Sequence, residues 1–329
     1  MKHSFLFLFA LMLTLVPACR PTEEQPNPEN PQDSLPAFAD PDDSLFSLVS
    51  LHATRTYVQP LTGLVLWPDL ARSRNTAYGN SIALEFNYCL PCRVVTGKVD
   101  GQLQYDWTYL ERILDDIASR GHQAIIRFRY EYPSSKDVDG QRGTTAVPDY
   151  IKALPDYEET YSADPGGDGP TYYADWRHPE LQWFTLQFYT DLAARYGSDP
   201  RIAFVEVGFG HWSEYHIYGT PLRLGVNFPS KEFQAEFFRH MAEVMPLPWL
   251  VSIDAADGSY SPVVSDPSLM ALTFGLFDDS FMHKGHEIGS ADGYNERNWN
   301  AIGKGIRWQT GVCGGEVSYY TSKDQKDFL

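Results

Sequence analysis

The strongest constraint in the chain is an alternation that runs from about residue 60 to its end. Short apolar runs are each followed by a stretch of helical periodicity. The runs "LTGLVLW" (61–67), "SIALEFNYC" (81–89), "QAIIRFRYE" (123–131), "RIAFVEVGF" (201–209), "PWLVSID" (248–254), "LMALTFGLF" (269–277) and "IRWQTGV" (306–312) read as strands. Residues 106–121, 179–197, 230–245 and 295–305 read as helices, with Ser230 as an N-cap and Gly121 and Gly197 closing the first two. Strand and helix in succession predict a parallel sheet covered by helices. Seven strands with no Gly-x-Gly-x-x-Gly after the first predict a (β/α)8 TIM barrel rather than a dinucleotide-binding sheet. Strand eight has no counterpart before the sequence stops, so the expectation is a barrel that is incomplete at the C-terminus.

The first fifty residues are of another kind. "MKHSFLFLFALMLTLVPAC" joins a basic start (Lys2, His3) to an apolar stretch and to small Ala18 before Cys19. This is the pattern of a bacterial lipoprotein signal peptide over 1–19, with Cys19 as the lipid attachment point. The apolar stretch is too short to remain as a span. Residues 20–50, rich in Pro and acidic groups, read as a disordered linker, and 51–329 as the barrel domain. The expected location is the cell envelope, periplasmic or at the outer membrane or cell surface, with membrane contact through the lipid alone. A net charge of −17 argues against a nucleic-acid partner. One "CLPC" without a second pair does not make a zinc ribbon; outside the cytosol it suggests a Cys89–Cys92 disulfide.

In a barrel of this type chemistry belongs at the C-terminal ends of the strands. Here those ends carry long loops filled with Trp, Tyr, His and acids, around 166–179, 205–219, 278–296 and 313–320, whereas a connection such as "GSDP" (197–200) on the opposite face is short. In "VEVGFGHWSEYHIYG" (205–219), alternation directs Ala203, Val205, Val207 and Phe209 to the helices and Ile202, Phe204, Glu206 and Gly208 inward. A carboxylate inside the barrel needs a partner, which Arg127 or Arg129 can supply. Glu214 follows the strand among His211, Trp212, Tyr215 and His216, an environment that raises a carboxyl pKa and suits a general acid. Glu316, after strand seven and two glycines, is the second acid. Retaining glycosidases need two such carboxylates roughly 5 Å apart.

Glu131, Trp176, Asp254, Asp278, Asp279 and His283 complete the expected substrate-binding set with Arg127, Glu206, His211, Trp212, Tyr215 and His216. Tyr172 and Tyr173 are further stacking candidates, in a chain that is 14% aromatic. No cofactor or metal is expected: "HKGHE" (283–287) lacks the His-Glu-x-x-His arrangement, and His211 and His216 are badly spaced for one helix face. Serine chemistry finds no Gly-x-Ser-x-Gly.

The strand order, with acids after strands four and seven, resembles the clan A glycoside hydrolases, which include β-galactosidases and cellulases. More closely, "GFGHWSEYH", "FGLFDDSFMH" and "GGE" resemble an uncharacterised family of bacterial lipoproteins with a glycosidase-like barrel, over residues 55–329. That family is known by sequence and fold, so it implies an architecture and no substrate. Clan A enzymes place Asn-Glu at the strand-four tip, where this chain has Phe209-Gly210, and Glu214 comes four residues later. The leading expectation from the residues is a hydrolase of an oligo- or polysaccharide with Glu214 as acid/base and Glu316 as nucleophile. The alternative is a non-catalytic glycan-binding lipoprotein on the same barrel. A metal-dependent hydrolase using the Asp and His residues is a third reading.

Overall fold

Seven parallel strands lie in one sheet in the order in which they occur in the chain. They are β1 (Val65–Leu66), β2 (Leu84–Cys89), β3 (Gln123–Phe128), β4 (Ile202–Glu206), β5 (Trp249–Ser252), β6 (Gly275–Phe281) and β7 (Cys313–Val317). The computed structural model describes residues 61–67, 82–134, 142–164, 169–281, 293–303 and 306–317, all within one unit, Arg55–Leu329. Cys19, the linker and His283 lie outside the described residues. Leu84, Phe86, Ile125, Ala203, Phe204, Leu250 and Phe277, from β2 to β6, meet in one apolar cluster, which requires the sheet to curl around its inner face. Sequential parallel strands curled in this way make a (β/α)8-type barrel, with seven strands among the described residues.

Among the described residues, three long helices cover the outer face. In α1 (Thr108–Ala118), Leu110, Leu114 and Ile117 form the buried stripe. In α2 (Pro179–Tyr196), Pro179 takes the first turn and the His178 ring accepts from the Glu180 N–H. In α3 (Lys231–Val244), the expected cap is present: Ser230 Oγ accepts from the Phe233 N–H. Gly121 closes α1 at φ +77°, but Gly197 is right-handed. A Cβ at Gly197 would sit 2.4 Å from Pro246 Cγ, so close approach, not a left-handed cap, is what requires glycine there.

Several expected boundaries shift. The run 269–277 is not one strand: Asp266 caps the Ser268 N–H and Pro267 starts a helical turn, Pro267–Met270, so β6 begins at Gly275. The run 306–312 is not a strand either. Arg307–Gln309 is a 3₁₀ turn, and the Arg307 guanidinium donates to the carbonyls of Met270, Leu272 and Ile302. Asp278, Asp279 and Glu316 therefore stand in strands rather than in loops. In β4 the alternation is broken once. Ala124 pairs with Ile202 and Ile125 with Phe204, and the extra residue turns Ile202 to the helices and Ala203 to the inner cluster. From Phe204 onward the expected faces hold.

Two antiparallel hairpins interrupt the barrel. Val95–Val99 pairs with Gln102–Tyr105 across Asp100-Gly101, both at positive φ. Thr160–Ser162 pairs with Thr171–Tyr173 inside the β3–β4 connection. Cys89 is a buried thiol in the outer core, not half of a disulfide, and burial pushes its pKa up to about 12. Among the described residues no helix is long and apolar enough to cross a membrane.

Candidate active site

Arg127 organises the barrel mouth. Register places it directly opposite Glu206, across the β3–β4 pair. Its Nε donates to Glu206 Oε2 at 2.8 Å, and its Nη2 lies 2.7 Å from the same oxygen. Its Nη1 donates to Glu214 Oε1, to the Trp212 carbonyl (3.3 Å) and to the Tyr88 hydroxyl (3.4 Å). The guanidinium rests over Phe277 and Phe86, 4.0 and 4.8 Å from the ring centroids. One buried cation thus serves two buried glutamates.

Glu214 reaches Arg127 because the chain after β4 folds back on itself. Gly210 is left-handed, and so are Trp212, Ser213 and Tyr215, at φ +54°, +65° and +63°. Non-glycine residues in this region are strained, and here they flank the acid on both sides. The His211 N–H donates to the His216 carbonyl, the Trp212 N–H to the Glu131 carbonyl, and Ser213 Oγ to the Phe128 carbonyl. A Cβ at Gly208 would lie 2.0 Å from the Ser213 carbonyl oxygen, and one at Gly210 2.4 Å from that of His216. Both glycines permit the coil.

Burial raises the pKa of two acids near Arg127, Glu214 and Glu316. Burial drives Glu214 well above the usual carboxylate value; Asp279 adds to this, while Arg127 and His216 oppose it. Burial likewise lifts Glu316 to about 7, with Arg127 pulling down, Asp279 pushing up, and a Trp67 hydrogen bond favouring the anion. His216 Nδ1 lies 2.9 Å from Asp254 Oδ2. Burial disfavours its charge, but that bond and the charges of Asp254, Asp279 and Glu214 lift it to about 9. Glu214, His216 and Asp279 each offer a ligand atom, all within 4.8 Å of one another.

The structure therefore gathers Arg127, Glu206, Glu214, His216, Asp254, Asp279 and Glu316. Trp212 is half-buried beside them, its ring against Tyr132, His216 and Tyr218. Other expected lining residues lie elsewhere. Trp176 is 1% exposed and packs on Tyr130, Phe209 and Phe233 between sheet and helices, so it is core and not a stacking platform. Tyr215, fully buried, packs on Phe209, Phe228 and Phe238, because its left-handed backbone turns it away from Glu214. His211 is sealed beneath the loop, its Nε2 3.0 Å from the Tyr173 hydroxyl, and burial lowers its pKa to about 3. Tyr173 is thus a partner of His211 in the interior, and Tyr172 packs at a tilt against Tyr161 in the hairpin. Glu131 is also interior: its Oε1 accepts from the Ala174 N–H, and burial lifts it to about 8. Asp278 points opposite to Asp279 and accepts from Asn295, Trp299 and the Ser280 N–H, which ties 293–303 to β6.

Two residues escaped sequence reasoning. Tyr88, ending the inward row of β2 after Phe86, donates to Glu214 Oε1 at 3.4 Å. Trp67, just beyond β1, hydrogen-bonds Glu316 and is 39% exposed. The signal was available: both stand at C-terminal strand ends, where a barrel puts its site.

No protein-family model matches the chain, and no curated protein is similar to it. Solved structures are similar in fold. The catalytic domain of β-amylase from Paenibacillus polymyxa matches at a TM-score of 0.46 and 10% identity, covering 79% of this chain and 86% of that one. Endo-glycoceramidase II from Rhodococcus sp., in its ganglioside GM3 complex, matches at 0.42 and 13%, over 71% and 56%. A β-galactosidase from Bacillus circulans sp. alkalophilus matches at 0.42 and 11%, over 73% and 42%. The chain thus spans only about half the length of the latter two. These neighbours are glycoside hydrolases; the fold described above rests on the strand order, and the chemistry on the residues themselves.

Proposed function

We propose that the protein is a glycoside hydrolase acting on an oligo- or polysaccharide, with Glu214 as proton donor and Glu316 as nucleophile or base. The observation that carries this reading is that acids from the β4 loop and from β7 share the field of Arg127 and are both raised by burial. Glu214 is held protonated well above the ordinary range, and Glu316 titrates at about 7. A buried carboxyl raised above its ordinary value can act as the acid, while one near 7 can ionise to act as nucleophile or base at the same pH. Glu214 would protonate the glycosidic oxygen as the bond breaks, while ionised Glu316 meets the developing charge at the anomeric carbon. Trp67, the exposed ring bonded to Glu316, supplies an apolar face beside that carbon. Lipid anchoring through Cys19, with an envelope location, belongs to the same reading and rests on the leader sequence. Loss of radioactive palmitate labelling in Cys19→Ser tests it; labelling retained by that variant refutes it.

The activity test is product release from a panel of oligosaccharides by the wild type and by Glu214→Gln and Glu316→Gln. Losses of about a hundredfold or more are expected for each. Undiminished cleavage by both variants would remove the assigned roles. One observation favours the non-catalytic alternative: Glu214 Oε1 is already held by Arg127 and Tyr88. Saturable glycan binding without turnover would select it.

A further inference from the structure

The geometry points to a second capacity of the barrel mouth: we propose that Glu214, His216 and Asp279 bind one divalent first-row transition ion, for which Zn²⁺ is the probe. Their ligand atoms already lie within 4.8 Å of one another. An ion about 2.1 Å from each needs ligand separations of about 3.4 Å, reached by small side-chain movements. The donor set, one imidazole and two carboxylates, suits such ions.

Three features beyond proximity support the site. His216 gives its Nδ1 to Asp254 at 2.9 Å, which fixes the ring and leaves Nε2 for the ion. A carboxylate behind a histidine is the usual outer support of a metal-binding imidazole. Glu214 is 5% exposed, and its hydrogen bonds from Arg127 and Tyr88 both end on Oε1. Oε2 is left to face an ion while the Arg127 pair on Oε1 stays intact. Asp279 has no hydrogen bond or ion pair among the described residues, and its charge disfavours ionisation of Glu214, Asp254 and Glu316 together. A cation at this point relieves all three repulsions.

The site is independent of the hydrolase reading. Taken with it, an ion on Glu214 removes the proton donor, so Zn²⁺ inhibits turnover reversibly and a chelator restores it.

Calorimetric titration of ZnCl₂ into the full chain tests the site without requiring a substrate. One ion per chain is expected. His216→Ala and Asp279→Asn should each weaken binding by about tenfold or more, and Asp254→Asn by about 10–100-fold. Far-UV circular dichroism and thermal midpoints establish that each variant is folded. Co²⁺ substitution should give a d–d spectrum without a thiolate charge-transfer band. Absence of saturable binding by the wild type, wild-type affinity in folded His216→Ala, or a thiolate band would each overturn the assignment. Failure of the hydrolase reading would show separately, as absent turnover in metal-free protein that still binds Zn²⁺.

Discussion

Arg127 and Glu206 face each other across β3 and β4, and the same guanidinium reaches Glu214 from the loop beyond. Removing the arginine strands two buried carboxyls. Arg127→Met should destabilise the fold by about 3–5 kcal/mol, the cost of breaking a buried pair from one side. The double variant with Glu206→Gln should recover part of this, because one stranded charge is gone. Urea denaturation of the two single variants and the double variant measures the coupling; simple additivity would mean that the pair carries no energy of its own.

Glu131 gives a pH signature. Burial, with a smaller push from Glu159, lifts its folded pKa to about 8, above an unfolded value near 4.5. The folded state therefore binds the proton more tightly. Its contribution is complete below 4.5 and is lost as pH rises through 8. Glu131→Gln keeps the shape and stays neutral. The variant should gain stability over the wild type between pH 5 and 9, by on the order of 3 kcal/mol at the upper end. Parallel thermal midpoints for the two proteins across that window would show that Glu131 is not held protonated.

The barrel was legible because alternation of strand and helix is a long-range, repeated signal, and the inward course of Glu206 followed from a period of two. The Asp100-Gly101 hairpin was also present in the sequence, as a turn dipeptide between short β-prone runs, and was passed over. The site was harder to read. The sequence put Trp176 and Tyr215 in the pocket because aromatics in loops suggest stacking, yet both fill the core. What decides the direction of Tyr215 is the left-handed coil at 210–215, and non-glycine residues at positive φ leave no mark in composition; Trp176 is buried by packing on Tyr130, Phe209 and Phe233. Tyr88 and Trp67 were missed for the opposite reason: they close ordinary apolar strands, and only the curl of the sheet brings them to Glu214 and Glu316.

The corrected place of Trp176 has its own test. Trp176→Ala should cost about 3–5 kcal/mol as a core cavity. Trp67→Ala, at a half-exposed ring, should cost much less stability but weaken glycan affinity. Stability curves and binding isotherms for both variants separate the roles; unchanged stability in Trp176→Ala would return it to the surface.

Gly208 tests the coil without altering any charge. In Gly208→Ala the new Cβ meets the Ser213 carbonyl at 2.0 Å, and backbone must move. A loss of about 1–3 kcal/mol is expected. Turnover should fall more steeply than stability, because Glu214 leaves Arg127 when the coil shifts. An active variant with wild-type kinetics would mean that the coil does not set the acid's position.

Asp279 offers the sharpest test of Glu214 as proton donor. After burial, its charge is the largest influence holding the Glu214 proton in place. Asp279→Asn removes that charge and nearly keeps the volume, so the Glu214 pKa falls. A proton donor must be protonated to act, so the basic limb of kcat/KM against pH should move to lower pH. The limb should move measurably toward lower pH while the enzyme stays active. A structural role for Asp279 would lower the whole profile without moving its limb. A limb that stays in place in an active Asp279→Asn enzyme would mean that some group other than Glu214 delivers the proton.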